Sequence, residues 1–366
     1  MKPNEANIKI ENAGGLVELL PFVLGYFPED AMVIHSTTSP NFLAGPTATL
    51  PMPEDPADWQ EVAEIFSCHF FNMANERARE PESVVIYLCR DPRSGQTAEE
   101  TAETLRPLAK WLADSCVNHG VRVLTTVGVI AGRWWSYACA TPGCCEGAPL
   151  PAVDARDSVT AELIRQGYSP GPHAREITAG FEPIGPDTAP GLSLAFDAAI
   201  ATLSEQWRTD VGQMEALEET SRIIDAAMRD LRNGVTELQV DVVARLVLGL
   251  QDAYARDRAI EYSEDDDLPL ARHLWSYLLR RCVPPHAEAS VPLLTLLAWV
   301  SWRQNDKVTA RLALQRALTI NSDYELADLL HEAINNGESP QGLLLIAREA
   351  RAERMREARH QSGKSN

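Results

Sequence analysis

The sequence predicts an N-terminal α/β domain, its sheet mostly parallel with an antiparallel edge hairpin, followed by an all-α domain. Three observations carry this. Short apolar runs bounded by turn residues alternate with helical periodicity over residues 8–139. Pro and Gly then crowd the stretch from Pro142 to Pro190. From Leu192 onward, apolar residues recur at helical spacing and strand-like alternation is missing. At 366 residues the chain is long enough for two or three domains of about 150 residues each.

The elements follow in order. Residues 8–10 form a short extended start, and residues 16–24 carry apolar side chains at helical spacing. Pro21 interrupts that segment, so a kink or a second short helix is expected. Residues 31–35 (AMVIH) read as a buried strand and 47–50 as a neighbouring one, cut off by Pro51 and Pro53. Asp58 heads a helix reaching about Glu80, and SVVIYLC at 83–89 is the clearest buried strand. A helix then spans about 97–119, with Gly120 in the place of a C′ glycine. Strands at 121–130 and 133–139 are joined through Ala131-Gly132. Strands separated by helices of about 15 residues imply crossovers, hence the mainly parallel sheet. Within the Pro/Gly-rich stretch, only residues 158–166 read as a helix. Beyond it, helices are expected near 192–208, 212–232, 237–259, 268–282, 288–304, 307–320, 323–336 and 341–360. The domains are therefore 1–185 (α/β), 186–191 (linker), 192–340 (all-α) and 341–366 (charged helix and tail).

Charge narrows the function classes. Lys+Arg number 33 against 52 Asp+Glu, a formal net charge of −19. Polyanion binding draws on clustered cations and counterion release, so a nucleic-acid partner is not expected. Attachment to anionic lipid by the overall field is disfavoured for the same reason. The longest strongly apolar run, 291–302, is shorter than the roughly 18 residues of a spanning helix. The polar start MKPNEANIKIEN carries no apolar stretch behind a basic segment, so no secretory signal is read. Seven cysteines in a long chain do not suggest a disulfide framework. A cytoplasmic protein with reduced thiols is the expectation.

Several residue groups have the chemistry of a site. In parallel α/β sheets the strand C-termini line the ligand crevice. His35, Ser36 and Thr37 follow AMVI, and Arg90 and Asp91 follow VVIYLC. His35, Ser36, Arg90 and Asp91 are accordingly candidates for acid–base chemistry or for holding a phosphate. Against this, polar residues commonly follow buried strands, and Asp30 and Asp91 are good turn formers. Cys139, Cys144 and Cys145 are candidate metal or redox thiols, with Cys116 or His119 as a fourth ligand. They lack the paired hooks of structural zinc, so no cofactor is expected and zinc is the alternative. Nucleotide-binding glycine loops, GxSxG and HExxH are all missing, and Cys68-His69 fits a helix at the core edge better than a catalytic pair. Trp299, Trp302 and Arg303 are candidates for a partner-binding helix face. Glu261, Glu264, Asp265, Asp266 and Asp267 form an acidic stretch without EF-hand spacing. Arg348, Arg351, Arg354, Arg356, Arg359 and Lys364 give a locally basic tail.

Two resemblances add to this reading. The helical pair 293–322 turns at Asn305-Asp306, with small residues at Ala298, Ala310 and Ala317 and larger ones at Leu297 and Leu314. It resembles the tetratricopeptide repeat. It departs at Ser301, where an aromatic is usual, and at Ser322, where proline usually ends the second helix. Separately, Leu20-Pro21, Leu24-Gly25, FPEDAMV at 27–33 and RWWSY at 133–137 precede the run Cys139, Cys144, Cys145, Glu146, Gly147. Together these resemble the actinobacterial domain-of-unknown-function 4192 family over about 8–185, and more loosely through Ala255 to Ala259 and beyond. The segment between Cys145 and Glu146 is shorter than the family pattern. The resemblance implies no assigned activity.

The leading expectation is a non-enzymatic interaction or assembly protein acting through a protein partner or self-association. The alternative is a small-molecule-binding enzyme or sensor with a crevice at the strand C-termini. A second alternative is a zinc- or thiol-dependent regulator.

Overall fold

A computed structural model describes residue 10 and residues 12–37, 45–76, 81–139, 147–150, 158–185 and 191–364. The chain divides into two compact units, Met1–Arg175 and Glu176–Asn366. The expected linker at 186–191 lies ten residues later, and 186–190 fall outside the described residues. Residues just past the division belong to the helical unit for a physical reason. The Ile184 N–H donates to the Arg280 carbonyl at 2.7 Å.

The first unit runs α1 (Ala13–Leu24), β1 (Ala31–Thr37), β2 (Thr47–Pro51), α2 (Trp59–Glu76), β3 (Ser83–Cys89) and α3 (Ala98–Asn118). It continues with β4 (Arg122–Ile130), β5 (Arg133–Ser136), β6 (Ala148–Pro149), α4 (Val159–Arg165) and α5 (Ala174–Thr178), the last crossing the division. Pro21 does not break α1. The helix is continuous, capped by Asn12 on the Gly15 N–H and closed by left-handed Gly25, whose N–H reaches the Pro21 carbonyl. Helix α3 begins with a reciprocal capping box between Thr97 and Glu100.

The sheet order is β2-β1-β3-β4-β5-β6, and among the described strands only β3 and β4 pair in parallel. The sheet is mixed, which corrects the mostly parallel expectation. Strands β2, β3 and β4 do run the same way, linked by helical crossovers through α2 and α3. Strand β1, however, lies between β2 and β3 and is antiparallel to both. The link from Thr37 to Thr47 is too short for a crossover helix, so β1 and β2 close as a hairpin. The β4–β5 hairpin turns on Ala131 and Gly132, both at positive φ, as a type I′ turn requires.

The period of two along β3 divides the core. Val84, Ile86 and Leu88 pack with Met32, Ile34, Phe66, Phe70 and the Leu105/Leu108/Leu112 stripe beneath α2 and α3. Val85, Tyr87 and Cys89 point to the other face, where Leu16, Val17 and Leu20 of α1 cover them with Trp134. Each large apolar side chain so buried contributes roughly 1.5–3 kcal/mol. Gly14 is required here, because a Cβ on it would meet Trp134 Nε1 at 2.9 Å.

The second unit is helical: α6 (Leu192–Gln206), α7 (Asp210–Arg232), α8 (Val240–Gly249), α9 (Ala253–Ile260), α10 (Leu268–Leu279), α11 (Val291–Arg303), α12 (Lys307–Ile320), α13 (Glu325–Asn335) and α14 (Gln341–Lys364). The single helix expected over 237–259 is two, because Asp252 caps a new start on the Tyr254 N–H. Helices α11 and α12 form a hairpin whose turn places Asn305 at φ 62 and caps α12 with Asp306 on Thr309. Ala298, Ala310 and Ala317 are wholly buried. The acidic stretch and the basic tail meet each other. Arg354 binds Glu261 at 2.6 Å, Arg348 binds Glu264 at 2.7 Å and Arg351 approaches Asp267 at 3.5 Å. Among the described residues, no helix is long and apolar enough to cross a membrane.

Candidate functional site

The described residues of the first unit contain a cavity of about 450 Å³. Its floor is the C-terminal ends of the two parallel strands, at Cys89, Arg90, Asp91 and Val129, with the Ala131-Gly132 turn beside them. One wall is α1, through Val17, Glu18, Leu20 and Pro21. A second wall is the loop into β1, through Phe27, Pro28 and Glu29, and a third is Thr160, His173 and Arg175. Position and size are those of a small-molecule crevice in an α/β sheet.

Local chemistry holds the walls in place. The Phe27 N–H donates to the Pro172 carbonyl, and the Ala174 N–H donates back to Phe27. The Phe27 and His173 rings stack at 4.6 Å. Glu29 ties the same segment down by accepting from the Arg175 N–H at 3.0 Å and from the Arg175 guanidinium at 3.1 Å, with His173 Nδ1 3.3 Å away. The backbones approach so closely that a Cβ on Gly171, at φ +76, would sit 1.8 Å from the Gly25 carbonyl oxygen. Glu18, although on an apolar helix, is buried and accepts from the Thr160 N–H at 3.0 Å, in the first turn of α4. Asp91 accepts from the Ala131 N–H at 3.2 Å and so braces the hairpin turn. Arg90 is buried, its Nε donating to Asp30 at 3.1 Å, while Asp30 itself is 72% exposed. Burial pushes the Cys89 thiol up to about 12, with the Asp91 charge adding to it, so Cys89 is a protonated wall residue and not a thiolate.

The structure brings together only half of the expected quartet. Because β1 is antiparallel to β3, Ala31 lies opposite Cys89 while His35 lies opposite Val85. His35 and Ser36 therefore sit near the other end of the sheet from Arg90, about 17 Å away along the strand at 3.3 Å per residue. There His35 Nδ1 is 2.7 Å from Thr47 Oγ1, and Thr37 Oγ1 is 2.6 Å from Ser83 Oγ. The expectation that His35, Ser36, Arg90 and Asp91 converge is corrected. Arg90 and Asp91 instead meet Glu29, His173 and Arg175.

A family model described as Domain of unknown function (DUF4192) matches residues 14–341. The chain belongs to this family. The DUF4192 match begins in the first turn of α1 and covers every wall of the cavity, as well as the second unit through α13. Of the residues that first suggested DUF4192, Leu20, Pro21, Phe27, Pro28 and Glu29 line the cavity, and Asp30 holds Arg90. Neither a curated protein nor a solved structure matches the chain.

The remaining candidates fall elsewhere in the DUF4192 chain. Trp299 and Trp302 are buried, with Trp299 Nε1 donating to Ser263 Oγ at 2.7 Å. The Arg303 side chain is only 8% exposed and donates to the Ser263 carbonyl and to Asp265. Trp299 and Trp302 are core residues and the Arg303 guanidinium is bound to Ser263 and Asp265, which corrects their reading as a partner-binding face. A helix buried on all sides, as α11 is, is apolar on all sides. Cys144 and Cys145 lie outside the described residues. Cys139 is half-buried, Cys116 is buried with its thiol 3.8 Å from Ser67 Oγ, and His119 packs on Phe71. Among the described residues, no three His, Cys, Asp or Glu side chains are grouped to hold a metal ion.

Proposed function

We propose that the α/β unit binds a small organic molecule in the cavity at the ends of β3 and β4. The observation that carries this is the cavity itself. A pocket of about 450 Å³ opens where parallel strands end, and charged side chains from four separate segments surround it. Backbone ties rather than flexible side chains alone hold its walls, through the Phe27–His173 bridge and Glu29 on the Arg175 N–H. Such preorganisation favours ligand binding. A ligand-observed NMR screen of the full chain tests the reading, with Val129→Trp filling the cavity from the sheet. Hits that lose binding in the variant support it. Hits unaffected by the variant, in a protein whose circular dichroism is unchanged, refute it.

A second reading, an interaction or self-association surface, attaches to the helical unit. Leu194, Trp207, Val211 and Met214 on and between α6 and α7 are exposed, with Val211 at 69%. The paired small residues of α11 and α12 support tetratricopeptide-like packing there. Light scattering on Trp207→Asp/Val211→Asp tests the surface. A smaller assembly than the parent supports it, and an identical mass refutes it.

A further inference from the structure

We infer that the ligand is an organic monocarboxylate whose acid group is read by Arg90, an inference that rests on the cavity being a ligand site. Glu18 is committed to the Thr160 N–H, and Asp91 to the Ala131 N–H. Glu29 and Arg175 are committed to each other, and Arg175 also lies 3.8 Å from Asp91. Arg90 differs. Its side chain is 9% exposed, yet among the described residues its hydrogen bonding is limited to Nε on Asp30. A guanidinium presents five N–H donors in a planar fork, so four donors on the terminal nitrogens of a buried cation are left for a partner. Asp30 lies largely in water, where its charge is screened, and bonds Nε rather than the terminal nitrogens.

A carboxylate fits those donors, since it accepts two parallel N–H bonds from one guanidinium. A phosphate fits less well. It calls for several cations or a row of backbone N–H groups. Here the other arginine is neutralised, and the first turn of α4 is occupied by the Glu18 carboxylate. The rest of the lining, Val17, Leu20, Phe27, Val129 and Leu150, is apolar and suits an aryl or alkyl body.

The test titrates the full chain with 3-phenylpropanoate and octanoate against their primary amides, following Leu and Val methyl shifts. The amides keep shape and size but lose the charge. The acids are expected to bind about tenfold more tightly than the amides, the charge-assisted fork being the difference. Arg90→Gln should erase that preference, so that acids and amides bind with the same affinity. Asp30→Asn keeps a residue type that tolerates the left-handed backbone at φ 43 and removes the negative charge beside Arg90 Nε. It should tighten the acids severalfold and leave the amides alone. Acids and amides that shift the cavity methyls with equal affinity would overturn the carboxylate inference and keep the ligand site. Acids preferred equally by the parent and Arg90→Gln would overturn the role of Arg90. If neither set moves a cavity methyl, both the inference and the site reading fail.

Discussion

Replacing Glu261 by Gln should destabilise the helical unit by about 2 kcal/mol, because that carboxylate anchors α14 from a buried position. Its side chain is 6% exposed and accepts from Arg354 through two nitrogens, at 2.6 and 3.2 Å, and from Arg258 at 3.2 Å. Hydrogen bonds to charged groups are worth about 1.5–3 kcal/mol and neutral ones about 0.5–1.5, so Gln loses about 1 kcal/mol per arginine. Arg258 keeps Asp225 and Arg354 is one-third exposed, so neither is stranded. The loss should therefore fall below the 3–5 kcal/mol typical of a broken buried pair. Glu264 is the control. Its bond to Arg348 is 2.7 Å long but both side chains are at least 40% exposed. Glu264→Gln should cost under about 1 kcal/mol and vanish in high salt. Urea unfolding monitored by circular dichroism, with hydrogen exchange on α14, measures both. Equal losses for the two variants, or a Glu261→Gln loss below about 0.5 kcal/mol, would refute the reasoning.

Three further outcomes are expected. Gly14→Ala should lower stability by about 1–3 kcal/mol in thermal unfolding, since its Cβ meets Trp134 Nε1 at 2.9 Å and Asn12 Oδ1 at 3.0 Å; an unchanged midpoint would contradict the packing. Burial acts to raise the Asp306 carboxyl, but the Arg272 and Thr309 hydrogen bonds outweigh it and hold the group below its ordinary value. A carboxylate depressed on folding contributes stability above its unfolded range and loses it as pH falls through the folded one. Asp306→Asn should thus cost about 1 kcal/mol at pH 7, with less difference from the parent near pH 3, read by urea midpoints. Burial holds the Cys89 and Cys282 thiols up at about 12 and Cys116 at about 11, so alkylation of the native chain at pH 8, mapped by mass spectrometry, should mark exposed Cys68 and spare these three.

Much of the fold was legible in local pattern. The run 83–89, the capped helix after Thr97 and the Ala131-Gly132 turn each carry a local physical signal, and each forms as expected. Strand direction was not local. The position of β1 between β2 and β3 depends on the short link after Thr37, whose sequence signal is weaker than that of the long crossovers that follow. That one placement moved His35 and Ser36 away from Arg90. Half of the site was visible as polar residues after a buried strand. Glu18 had a signal, a carboxylate set between Val17 and Leu19 on an apolar helix, where only a partnered acid is tolerated. His173 and Arg175 had none, since they lie in a Pro/Gly-rich stretch without periodicity and reach the cavity through backbone pairing with Phe27. The charge polarity between residues 261–267 and the tail was visible, and its resolution is internal, with Arg348 and Arg354 neutralising Glu264 and Glu261.

The most direct test of the central claim is methyl chemical-shift mapping on the intact chain during titration with 3-phenylpropanoate. A ligand site at the ends of β3 and β4 predicts saturable shifts at Val17, Leu20, Val129 and Leu150, with the buried α11 methyls of Leu293 and Leu297 unmoved. Saturable shifts centred on α11, or no shift at the four cavity residues, would contradict it.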